Sequence, residues 1–318
     1  MILDLVLVAV GLVLLAKAAD QFVLGAARVA LVLRISAVVV GAVVVGFGTS
    51  APEMLVSGVA ALQGNPEVGV GNVVGSNVAN LTLVLGAAAL ILPIGIAGST
   101  LRKETPLMVV SVLLFAWFVQ DGIAWWEAVI LLVVLVAGLV LIVTTGGTTP
   151  DSELAREVAE FTQRAHMPRL RVEVVRTTGG LIGTVVGAQM LVVGAVGIAD
   201  WAGLSGGFVG FTLVAVGTSL PELVTAVAAA RAGEPDLIVG NLLGSNLFNS
   251  LAVGAVLVLA GTGEIDAPRM MTVGVVAMIM VALGAWVMMI TNRTITRWEG
   301  GLLLAVYAGS VVVVGPAG

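Results

Sequence analysis

Apolar runs of twenty or so residues follow one another through almost the whole chain, broken only by short patches of charge, Pro or Gly-Asn. A hydrocarbon core about 30 Å thick takes about 20 residues of helix, and inside it every backbone N–H and C=O must be satisfied within the segment. Cutting at the interruptions predicts ten spans, near 2–27, 36–62, 68–96, 105–120, 124–145, 179–199, 205–231, 237–261, 270–291 and 298–316. The fold class expected is an all-α polytopic membrane protein. Composition agrees, since 10% of the 318 residues are charged against about 25% in soluble domains. The 41 glycines suit helices whose backbones approach closely. A net charge of −5 leaves no basic surface for nucleic acid. The absence of cysteine excludes disulfides, thiolate metal sites and Cys nucleophiles. The opening Met1-Ile2-Leu3-Asp4-Leu5 lacks a basic n-region and reads as the start of the first span.

Basic residues orient the spans, because cytoplasmic loops hold the Lys and Arg. With the N-terminus outside, the inner loops collect Arg28, Arg34, Arg102, Lys103, Arg156, Arg164, Arg169, Arg171, Arg176, Arg231, Arg293 and Arg297, and only Arg269 falls outside. The longest polar stretch, 146–178, is then a cytoplasmic linker, and its segment from Pro150 to Phe161 reads as a short surface helix or a solvated loop.

The chain repeats itself at an offset of 169 residues, without a gap from Gly25/Gly194 through Asn80/Asn249. Over 41–80 against 210–249, 18 of 40 positions are identical. Gly48-Thr49-Ser50-x-Pro52-Glu53 returns as Gly217-Thr218-Ser219-x-Pro221-Glu222. Gly71-Asn72-x-x-Gly75-Ser76-Asn77-x-x-Asn80 returns as Gly240-Asn241-x-x-Gly244-Ser245-Asn246-x-x-Asn249. Shared low complexity can align scattered Gly and Val, but not two polar motifs in register. The chain therefore divides into a first five-helix repeat, 1–145, the linker, and a second five-helix repeat, 179–318. Five is odd, so the second copy must cross the membrane in the opposite sense. Inverted repeats of this kind are the plan of secondary transporters, with the substrate site near the midplane where interrupted helices meet. The second, third, seventh and eighth spans carry Gly, Pro and polar residues in mid-membrane and are expected to be broken or distorted.

Four ionisable residues fall well inside the predicted membrane: Lys17, Asp20, Glu53 and Glu222. Each is costly there without a partner or a purpose. Lys17 and Asp20, three apart on one helix, are expected to pair. Glu53 and Glu222 are equivalent in the two copies, have no basic neighbour in sequence, and so call for a cation. Thr49 and Ser50, with Thr218 and Ser219, place hydroxyls on the same helical face as the carboxylates. Pro52 and Pro221 disturb the preceding turn and free carbonyls such as those of Gly46 or Gly48, and Ala215 or Gly217. Ser76, Asn80, Ser245 and Asn249 add neutral oxygens. The donor set is all oxygen, which hard cations such as Ca²⁺ prefer. That the Glu, Ser and Asn side chains only bond helix to helix leaves unexplained why both copies keep the same set. His166, the only histidine, reads as a solvated loop residue, the Met270–Met289 cluster as packing, and Trp125, Trp126, Trp201 and Trp298 as an interfacial belt. No P-loop is present.

At these motifs the sequence resembles the cation/calcium exchanger superfamily, in particular its compact prokaryotic sodium/calcium exchangers. The resemblance implies ten helices in two inverted repeats and exchange of Ca²⁺ for Na⁺ by alternating access. It places the ion ligands on Thr49, Ser50, Glu53, Ser76 and Asn80, and on Thr218, Ser219, Glu222, Ser245 and Asn249, with the two glutamates as the central Ca²⁺ carboxylates. Many relatives carry Asp where this chain has Asn249, and loss of that carboxylate implies no K⁺ requirement. The expected function is a Na⁺/Ca²⁺ antiporter of the plasma membrane; the alternative is a Ca²⁺/H⁺ antiporter using the same glutamates. A cation channel could also use mid-membrane glutamates, and an enzyme is disfavoured because no Ser/His/Asp set exists. Ca²⁺ and Na⁺ are expected as substrates and lipid as the surroundings, with no cofactor and no obligatory protein partner.

Overall fold

The computed structural model describes residues 1–33, 50–121, 124–145, 170–261 and 265–316. The helices are α1 (Ile2–Val32), α2 (Ala51–Leu62), α3 (Pro66–Ala79), α4 (Leu85–Ile91), α5 (Gly98–Arg102), α6 (Glu104–Phe118), α7 (Trp125–Thr145) and α8 (Leu170–Ala202). They continue with α9 (Gly206–Val209), α10 (Ala215–Thr218), α11 (Leu220–Ala232), α12 (Pro235–Phe248), α13 (Gly254–Ala260), α14 (Val275–Asn292) and α15 (Arg297–Val314). Among the described residues six helices are long and apolar enough to cross a membrane, or seven when the bent pair Gly206–Thr218 and Leu220–Ala232 counts as one. The protein is a multi-pass, helical membrane protein. The fourth and fifth predicted spans meet the helices Glu104–Phe118 and Trp125–Thr145, and of the second span the described part is the helix Ala51–Leu62.

Proline and polar residues explain where the helices start and distort. Pro52, Pro66, Pro221 and Pro235 each occupy a first turn, where the missing N–H is no loss. The third, seventh and eighth predicted spans are distorted, as expected. Wide π-turns at Asn80–Val84 and Asn249–Val253 join α3 to α4 and α12 to α13, and the seventh bends by 45° at Ser219. The two π-turns stand 169 residues apart, so the repeat is visible in the backbone as well as in the letters. A further π-turn opens the ninth span at Met270–Gly274. A two-residue antiparallel ladder, β1 (Ile94–Gly95) with β2 (Thr294–Ile295), ties the end of α4 to the entry of α15 and departs from the all-α expectation.

Two expectations fail on packing. Helix α8 starts at Leu170, so its first turns belong to a helix where a linker through residue 178 was expected. The charged turns are tolerated because Glu173 pairs with Arg28 of α1 at 3.3 Å and with Arg176 at 3.1 Å. Lys17 and Asp20 form no ion pair among the described residues and both face outward from α1. Helical side chains lean toward the N-terminus, so Lys17 leans away from Asp20, the less favourable order for such a pair. His166 and most of the 146–178 stretch lie outside the described residues.

Candidate cation site

The Ser-x-Pro-Glu segments are helix starts. Ser50 and Ser219 hold the N-cap positions of α2 and α11 with nearly the same backbone, φ −93°, ψ 5° and φ −85°, ψ 6°. Glu53 and Glu222 therefore stand in first turns, where unpaired N–H groups favour negative charge. Neither serine caps its helix through its side chain, which leaves both hydroxyls available. Across from them α3 and α12 carry Ser76 and Ser245, and Asn80 and Asn249 open the two π-turns. Pro221 has no N–H to bond the Gly217 carbonyl. The Ala215 carbonyl, expected to be freed, accepts from the Ser219 N–H at 3.0 Å.

Burial at this centre is almost complete: Ser50, Glu53, Ser76, Asn80 and Asn249 are 0% exposed, Thr218, Glu222 and Ser245 1%, and Ser219 2%. Glu53 and Glu222 lie within electrostatic range of each other, with Thr218 beside Glu53 and Ser245 beside Glu222. Ser50 Oγ, Ser76 Oγ, Ser219 Oγ, Asn80 Oδ1, Asn249 Oδ1 and all four glutamate oxygens have no hydrogen-bond partner among the described residues. Buried polar atoms are almost always partnered. Apart from Glu173, whose charge is met by arginine, every such buried oxygen belongs to a residue that the repeat nominated. Thr49 lies outside the described residues. Two carboxylates within electrostatic range of each other, with neutral oxygens around them, offer the all-oxygen donor chemistry that hard cations prefer, and an uncompensated buried charge is otherwise costly.

The structure adds residues that motif reading passed over. Asn72 Nδ2 donates to Ser57 Oγ at 3.0 Å and to the Glu53 carbonyl at 3.3 Å. Asn72 Oδ1 accepts from Thr218 Oγ1 at 3.1 Å, so the Thr218 proton is taken up and its lone pairs remain for a ligand. Ser57 Oγ in turn donates to the Gly69 carbonyl at 3.3 Å. Asn72 was visible in the repeated Gly-Asn of both motifs; Ser57 was not, since its counterpart is Ala226. The centre is also drawn together by glycine: a Cβ on Gly71 would press on the Gly207 carbonyl, and one on Gly75 on the Phe211 carbonyl.

The family model for sodium/calcium exchanger protein matches residues 3–144 and 173–315, both halves of the chain. The chain belongs to the sodium/calcium exchanger family. It is 38% identical to the putative antiporter CaxA of Alkalimonas amylolytica, covering 97% of this chain and 98% of that protein. It is 32% identical to the sodium/calcium exchanger MaX1 of Methanosarcina acetivorans, covering 95% and 96%. The sodium-calcium exchanger NCX_Mj, solved after soaking with Na⁺ and Ca²⁺, superposes with a TM-score of 0.64 at 32% identity over 98% of both chains. This exchanger thus has the family and the fold of transporters.

Proposed function

We propose that this exchanger carries Ca²⁺ in one direction and Na⁺ in the other across the plasma membrane by alternating access, with Thr49, Ser50, Glu53, Ser76, Asn80, Thr218, Ser219, Glu222, Ser245 and Asn249 as ion ligands. The reading includes ten helices, an N-terminus outside, and two inverted repeats, 1–145 and 179–318, around one midplane site. The observation that carries it is the pair of buried glutamates ringed by unpartnered oxygens from equivalent positions of both repeats. Two negative charges balance one Ca²⁺ or two Na⁺, so the ions compete for one place. NCX_Mj, similar over 98% of both chains, was solved after soaking with Na⁺ and Ca²⁺ or Sr²⁺, which supports the same substrate class here. Hydroxyls beside each glutamate favour Na⁺ over H⁺ as the coupling ion, because a proton needs only the carboxylates.

The test is ⁴⁵Ca²⁺ uptake into Na⁺-loaded proteoliposomes diluted into Na⁺-free buffer, with a pH gradient as the comparison. Uptake that requires internal Na⁺ is the expected outcome. Uptake driven by protons and indifferent to Na⁺ makes the protein a Ca²⁺/H⁺ exchanger, and uptake without any counter-ion makes it a channel.

A further inference from the structure

The two halves of the site match in their motifs yet differ in how their amides are held. Amide orientation follows from the backbone carbonyls, which only accept. Asn77 donates Nδ2 to the Val73 carbonyl at 2.8 Å, so its Oδ1 faces away from that bond, and Ser250 Oγ donates to it at 3.3 Å. Asn246 donates Nδ2 to the Asn77 carbonyl at 3.2 Å, so its Oδ1 accepts, and the donor is Asn80 Nδ2 at 3.0 Å. Asn80 is thereby fixed, with its amino group tied and its Oδ1 turned out without a partner among the described residues. The equivalent bond in the second half would run from Asn249 Nδ2 to Asn77 Oδ1. Ser250 takes that acceptor instead, and the residue 169 positions earlier, Leu81, has no hydroxyl with which to do the same. Asn249 is 0% exposed and neither of its amide atoms finds a partner among the described residues.

We infer that Ser250 is a positioning residue that holds Asn77 Oδ1 so that Asn249 stays off the helix-to-helix network and serves as the adaptable ligand of the site. Asn80 is the fixed ligand: only its oxygen can face the ion. Asn249 can present Oδ1 to a bound cation or, turned over, offer its amino group to an acceptor when the cation has left. A buried amide with both ends unmet is costly, and cation binding relieves that cost. The inference rests on the proposed function in taking the centre as a Ca²⁺ site.

Calorimetric titration of the purified full-length protein with Ca²⁺ in Na⁺-free buffer tests it, using Ser250→Ala, Ser250→Thr, Asn249→Ala and the double variant Ser250→Ala/Asn249→Ala. Without the serine hydroxyl, Asn249 Nδ2 takes Asn77 Oδ1, and Ca²⁺ binding is expected to weaken about tenfold, the usual effect of losing an outer partner of a metal ligand. Ser250→Thr keeps the hydroxyl and is expected to bind like the parent. In the Asn249→Ala background the Ser250→Ala change is expected to have no further effect. Equal losses in both backgrounds, or unchanged binding in Ser250→Ala, overturn the inference. Should Ser250→Ala fail to accumulate, Leu81→Ser makes the same test from the other half. Its hydroxyl should capture Asn246 Oδ1, release Asn80 and change Ca²⁺ affinity, and an unchanged affinity overturns the inference. Failure of the unsubstituted protein to bind Ca²⁺ overturns the cation reading as a whole and is distinguishable, since it is seen before any variant is made.

Discussion

Between the α3–α12 centre and the α1–α8 edge, the treatment of buried polar atoms is reversed. At the edge the one buried carboxylate, Glu173, meets two guanidinium groups, Arg28 at 3.3 Å and Arg176 at 3.1 Å. Along that contact glycines also bring the backbones together: a Cβ on Gly187 would lie 2.6 Å from the Leu15 backbone N, and one on Gly11 2.8 Å from that of Leu191. At the centre the packing is as close, yet Glu53, Glu222 and the hydroxyls of Ser50, Ser76 and Ser219 have no hydrogen-bond partner among the described residues. The centre therefore does not lack partners through loose packing. On the proposed function its leftover oxygens are kept for an ion that comes and goes, whereas the edge has only to hold together.

The largest effect expected from breaking this contrast is at the carboxylates. Glu53→Gln or Glu222→Gln should bring Ca²⁺ exchange in proteoliposomes to background while the thermal midpoint of ion-free protein does not fall, because an unpaired buried charge has been removed. A variant that still exchanges would take the glutamates out of the mechanism. At the edge the prediction is opposite in kind. Gly187→Val should destabilise the fold by about 3 kcal/mol, since the added atoms meet backbone that cannot move aside, and calorimetric Ca²⁺ binding per folded molecule should persist. A stable Gly187→Val protein would mean that α1 and α8 separate more easily than their contact suggests. The smallest effect sharpens the contrast within the centre: Ser57→Ala should cost about 2 kcal/mol, the loss of its two hydrogen bonds, read as a lower denaturation midpoint.

What could be read from the letters was whatever the two copies share. A fixed offset made Glu53 and Glu222, their serines, and Asn80 and Asn249 stand out without any knowledge of contacts, and the polar interruptions foretold which helices would be distorted. What escaped lies in the differences between the copies. Ser57 against Ala226 and Ser250 against Leu81 look like drift in an alignment, and their roles depend on side chains 12 to 173 positions away. Lys17 and Asp20 misled because spacing alone says nothing about lean along the helix. The early start of α8 was hidden because its charges are neutralised by α1, a partner 145 residues distant.

The glycines that bring α3 against the α9–α10 helix have a consequence for which ions the protein can tell apart. Gly71 and Gly210 put main chain on main chain there, and Gly75 lies against the Phe211 backbone and the Ala215 Cβ. On the proposed reading the spacing of the site is then set by peptide groups, which have no rotamers to change, while the proposed ligands adjust charge and denticity. Discrimination by ionic radius should consequently survive exchanges of the ligating side chains, and yield only to a residue that forces those two backbones apart.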